Sequence, residues 1–147
     1  MPKIVFSLNV QYAVALFAAP IFCILYRSFF PTQDIDIFWF VNHPETFLMA
    51  ILFYPVVEEL AFRGVIQEFL SQKLEPNSTL FAISYANFIT SILFVSLHLF
   101  HHPIIWALLT FFPSLIFGYF KERFDHILPS IILHMFYNFA YFLMIGK

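Results

Sequence analysis

Several residues that can do acid–base chemistry lie inside apolar stretches of this sequence. Glu58, Glu59, Arg63 and Glu68 share one stretch, His98 stands near the end of the next, and His134 and Asn138 share the last. An ionised carboxylate at the centre of a membrane helix costs ~2.5–3.5 kcal/mol on insertion scales, so such residues mark functional sites by default. Their spacing has a geometry. Glu59 and Arg63 are four apart and can pair on one helix face, as can His134 and Asn138, and Phe94 and His98. Glu58 is turned about 100° from Glu59 around a helix axis. If three helices pack about one axis, Glu58, His98, His134 and Asn138 converge in a polar site within an apolar shell. That set suits peptide-bond hydrolysis. A Glu in a low-dielectric site is a general base near neutral pH, and a His can share the proton and orient water. A second His and an Asn can donate hydrogen bonds to a tetrahedral oxyanion.

Other hydrolytic designs fit less well. Ser84, Ser91, Ser96 and Ser114 are present, but no Gly-x-Ser-x-Gly elbow is. Asp34, Asp36 and Asp125 fall in or beside loops, which leaves no intramembrane aspartyl dyad, and His-Glu-x-x-His is missing. His98 and His102 are four apart, so with Glu58 or His134 a zinc site is the alternative to a metal-free one. Plainer readings stand beside these. Glu58 can be a structural partner of Arg63. Asn138 can be a helix–helix hydrogen bond, Glu68 a solvated residue facing Lys73, and His101 and His102 loop residues. Asp125 and His126 read as a helix-start pair, and Trp39 and Trp106 as interface anchors.

The elements that position these residues read as about five membrane-spanning helices, with four and six as neighbouring counts. The first runs from Ile4 to Tyr26 and is expected to be a retained helix rather than a cleaved signal. Arg27 to Glu45 reads as an interfacial loop or short amphipathic helix. The second span runs from Thr46 to about Leu70, and the third from Thr79 to Leu99 after a loop over Ser71–Ser78. The fourth covers Ile104–Phe120 with a kink at Pro113, followed by a charged turn over Lys121–Asp125. The fifth covers His126–Ile145 with Pro129 in its first turn. The expected fold is therefore all-α: a polytopic transmembrane bundle, one membrane domain over residues 1–147. Lys3, Lys73, Lys121 and Arg123 fall on one side of this arrangement and Arg27 and Lys147 on the other, which places the N-terminus in the cytoplasm.

Composition agrees. Of 147 residues 61% are hydrophobic and 11% charged, against about half and about a quarter in soluble domains. Mean hydropathy is +0.83. The net charge of −2 offers no basic patch for nucleic acid. The single cysteine, Cys23, excludes an internal disulfide.

Three motifs now add a resemblance. Glu58-Glu59-Leu60-Ala61-Phe62-Arg63 resembles the Glu-Glu-x-x-x-Arg motif of the CPBP family of CAAX proteases and bacteriocin-processing proteins, also called the ABI family. Phe94 to His98 resembles its Phe-x-x-x-His motif, and His134 to Asn138 its His-x-x-x-Asn motif. All three occur in the family's order, and the resemblance covers about residues 46–145. It implies a glutamate-type intramembrane endopeptidase with no required metal. It further implies that Glu58 and His98 activate water, that His134 and Asn138 form the oxyanion site, and that Glu59 and Arg63 support them as an ion pair. The expected partners are membrane lipid and a peptide or protein substrate with a membrane anchor, prenylated or otherwise. The expected location is a bacterial inner membrane, in multi-pass form. The chain has fewer helices than the family's usual CAAX endopeptidases. A non-enzymatic immunity or chaperone protein is the competing reading, and an ion-coupled carrier ranks below it because no inverted repeat is visible.

Overall fold

The computed structural model describes residues 7–30, 35–74, 79–80 and 82–145. The expectations that rest on Lys3, Ile4, Asp34, Lys147 and most of the loop after Ser71 lie outside them. The described residues are almost wholly helical and divide into two units, each with its own packing: residues 1–54 with 133–147, and residues 55–132.

The first unit begins with α1 (Leu8–Phe29), whose N-cap Ser7 accepts a bond from the Val10 amide through its hydroxyl. Ala15, Ala19 and Cys23 are spaced four apart and buried. Ala19 and Cys23 pack with Ala140 of α9 (Leu128–Met144), beside Tyr137 and Met144. Small side chains in this register let two backbones approach, which is how apolar helices associate where no water drives them together. Two polar contacts bind the same helices. Tyr137 Oη donates to the Ala15 carbonyl at 2.7 Å, and Arg27 Nη1 to the Met144 carbonyl at 2.5 Å. Arg27 thus belongs to the last turn of α1, not to the loop expected there, and satisfies a carbonyl at the negative end of α9. The opposite face of α1 exposes Val14, Phe17, Ile21 and Leu25.

An Asx turn at Asp36, which accepts from the Phe38 amide, leads into α2 (Trp39–Asn42). Trp39 is 2% exposed and stacks on Phe142 at 5.3 Å, so it is a packing residue rather than the expected interface anchor. Then come α3 (Pro44–Thr46), a π-helical segment over Phe47–Phe53, and α4 (Tyr54–Glu59).

In the second unit, a further π-helical segment over Leu60–Gln67 passes into α5 (Glu68–Lys73). The expected second span is therefore helical but not regular: α-helical turns alternate with wider π-helical ones, a feature frequent at functional sites. A two-residue strand pair, β1 (Thr79–Leu80) and β2 (Ile83–Ser84), precedes α6 (Tyr85–His98). The third helix thus starts six residues later than expected. Ser84 Oγ accepts from the Asn87 amide at 2.9 Å, and this cap sets its start. Next are α7 (Ile104–Leu109) and α8 (Phe111–Phe124), interrupted at Thr110. Pro113 lacks the N–H that would bond Leu109, so the break sits one turn before it. Lys121–Phe124 continues α8 where a turn was expected. Asp125, at φ 50°, ends α8 as a left-handed C-cap and does not start a helix. His126 Nδ1 accepts the Leu128 amide at 3.0 Å instead. Glu68, in the first turn of α5, pairs with Lys121 in the last turn of α8, not with Lys73.

Among the described residues two helical stretches, α1 (Leu8–Phe29) and α7 with α8 (Ile104–Phe124), are long and apolar enough to cross a membrane. At 1.5 Å per residue each covers the ~30 Å hydrocarbon core. Tyr85–His98 and Leu128–Met144 are apolar but shorter.

Candidate active site

Glu58 and Glu59 end α4, just before the π-helical turn. Glu59 is wholly buried and Glu58 only partly, so the two carboxylates face different surroundings, as adjacent helical positions must. The Glu59 carboxylate lies 3.2 Å from Arg63 Nε, with both side chains 0% exposed. Glu58 is within electrostatic reach of the same guanidinium. Two charges removed from water are tolerable only when paired and hydrogen-bonded, and Ser114 supplies two acceptors to one end of the guanidinium. Arg63 Nη2 donates to the Ser114 carbonyl at 2.9 Å and to Ser114 Oγ at 2.8 Å. The guanidinium also lies 5.0 Å from the centroid of Phe94 and 5.9 Å from that of Phe117.

Phe94 connects Arg63 to His98. Its ring meets the cation on one side, and its centroid is 4.3 Å from that of His98. Phe62 packs edge-on against it at 5.0 Å. The Phe of the Phe-x-x-x-His motif is thus the wall that sets the imidazole in place. His98 Nδ1 lies 3.0 Å from the Phe94 carbonyl. A carbonyl only accepts, so Nδ1 carries the proton and Nε2 is the basic nitrogen of the neutral ring. The His98 ring also stacks with His102 at 5.4 Å. Among the described residues no three His, Cys, Asp or Glu side chains gather as a metal-holding group.

His134 and Asn138 lie in the other unit, on α9. His134 is 5% exposed. Asn138 Nδ2 donates to the Ala50 carbonyl at 2.8 Å, in the first π-helical segment. The helix-to-helix bond expected as its plain role is therefore present, and it fixes which amide edge faces Ala50.

Sequence reasoning missed a polar column that runs away from Arg63. Gln67 Nε2 donates to the Gly118 carbonyl at 3.1 Å and to Glu122 Oε1 at 2.7 Å. Ser84 Oγ donates to the same Glu122 oxygen at 2.5 Å. Asn87, Ser91 and Ser114 are wholly buried and joined by hydrogen bonds. The signal was present. Glu59, Arg63 and Gln67 step by four, and so do Ser114, Gly118 and Glu122.

A family model described as Type II CAAX prenyl endopeptidase Rce1-like matches residues 40–140. No curated protein and no solved structure matches the chain.

Proposed function

Since the chain belongs to the type II CAAX prenyl endopeptidase Rce1-like family, a family of membrane-embedded proteases, we propose that it cleaves its substrate by a glutamate-based mechanism. The observation that carries this reading is the extent of the match. Residues 40–140 include Glu58, Glu59, Arg63, His98, His134 and Asn138 together. The substrate is a peptide held at the membrane by a prenyl group or another anchor, and the enzyme is a multi-pass membrane protein.

In the proposed reaction Glu58, with Nε2 of His98, takes a proton from water as the water oxygen attacks the scissile carbonyl carbon. The carbonyl oxygen becomes an oxyanion, which accepts hydrogen bonds from His134 and from the second N–H of Asn138. The C–N bond then breaks, and the proton held by Glu58 passes to the leaving amine. Glu59 remains paired with Arg63 and takes no proton. The His98 tautomer supports this assignment, because its basic nitrogen is the one not directed at the backbone. No metal is needed for any step.

The test is turnover of a prenylated CAAX peptide by purified protein, with and without a chelator. Glu58→Gln and His98→Ala are each expected to lower kcat on the order of 10²–10⁴-fold, the usual contribution of a general base. Wild-type turnover should survive the chelator. Undiminished cleavage by Glu58→Gln sinks the glutamate mechanism, and loss on chelation replaces it with zinc hydrolysis.

A further inference from the structure

The geometry points to Ser114 as a positioning residue, the first link of a buried relay that aims the Arg63 guanidinium; this rests on the glutamate reading above. Arg63 can only donate, so Ser114 Oγ must accept from Nη2 and use its own proton elsewhere. That proton goes to Ser91 Oγ at 2.9 Å. Ser91 in turn donates to Asn87 Oδ1 at 3.2 Å, and Asn87 Nδ2 donates to the Leu115 carbonyl at 2.9 Å. Each bond fixes the direction of the next, so the relay has one polarity, imposed by the cation at its head. It has a firm foot. The Asn87 amide donates to Ser84 Oγ, and Ser84 donates to Glu122, which also receives Gln67.

The relay joins the elements that carry the water-activating pair. Arg63 lies in the π-helical segment that follows Glu58 and Glu59, while Ser91 and Asn87 lie on α6, which ends at His98. Ser114 lies on α8 and bridges them. With Nε toward Glu59 and Nη2 fixed on Ser114, the guanidinium has one orientation about its Nε–Cζ bond. Its charge is then held in a set place within electrostatic reach of Glu58. Gly118 makes room for the foot. A Cβ there would stand 2.1 Å from Asn87 Oδ1 and 2.8 Å from Gln67 Oε1.

The test compares wild type, Ser114→Ala, Ser114→Thr and Glu58→Gln, each purified in detergent and shown to be monodisperse, on a prenylated CAAX peptide across a range of pH. Ser114→Ala should lose about 10- to 100-fold in kcat, the scale of a small misplacement, with KM little changed. Ser114→Thr keeps the hydroxyl and should restore kcat. If Ser114→Ala does not fold, Ser91→Ala removes the next link, leaves both acceptors of Arg63 in place, and should show the same split in weaker form. Wild-type kcat in Ser114→Ala, with Glu58→Gln inactive, overturns the relay and spares the mechanism. Cleavage by Glu58→Gln overturns the mechanism instead. A readout independent of turnover is the nitrogen magnetic resonance of Arg63. Its two Nη signals should be resolved in wild type and exchange faster in Ser114→Ala, where Nη2 keeps only the backbone carbonyl of residue 114. Averaged signals in wild type overturn the proposal whatever the activity.

Discussion

Removing either partner of the Glu59–Arg63 pair leaves a buried charge without compensation. Both side chains are wholly enclosed, so water cannot replace the lost partner. Glu59→Gln and Arg63→Met are each expected to destabilise the protein by about 3–5 kcal/mol, read as a fall in the midpoint of denaturant unfolding in detergent. Combining the two should cost less than the sum, because the double variant strands no charge. Glu58 behaves otherwise. It is partly exposed, and Glu58→Gln should leave unfolding nearly unchanged while turnover disappears. Under the proposed mechanism, two adjacent carboxylates thus separate into structure and chemistry because a helix turns them to different neighbours.

Among elements, the meeting of α6, α8 and the second π-helical segment is the most constrained. Ala at a helical position is usually better than Gly by about 1 kcal/mol. At Gly118 that gain is overwhelmed, since the new methyl would overlap the Asn87 and Gln67 amides. Gly118→Ala is expected to lower stability by about 1–3 kcal/mol, the usual cost of overpacking. At Gly64 the same change meets Ile127 Cδ1 at 3.4 Å and the Glu59 carbonyl oxygen at 4.0 Å, both ordinary contacts. Gly64→Ala should therefore be neutral or stabilising, and thermal unfolding of the two variants side by side checks the contrast. On the other unit, Ala19→Leu should separate α1 from α9, because the small side chain allows the close approach.

For the whole molecule, the single cysteine is a reporter of folding. Cys23 is 3% exposed within the α1–α9 packing. A membrane-permeant maleimide should label it slowly in the native protein and quickly after denaturation. Ala19→Leu should raise the native rate if that helix contact governs access. The outer face of α1, with Phe17 and Ile21 exposed, has lipid as its natural solvent. The protein should accordingly stay with membranes through an alkaline carbonate wash and leave them only in detergent.

The helical class, the family and the motif residues were legible in the sequence, because long apolar runs permit few structures and an ionisable residue within one stands out against its surroundings. The Glu59–Arg63 pairing followed from a spacing of four, which holds wherever the chain is helical. Tertiary structure decided everything that depends on which distant helix arrives opposite. It gave Glu68 to Lys121 rather than Lys73, buried Trp39 against Phe142, and started α6 at a Ser84 cap. It also assembled the relay from Arg63 to Asn87, whose members are ordinary polar residues until three helices bring them together. Local spacing fixes what shares a helix face, but a hydrogen bond needs two faces, and only packing chooses the second.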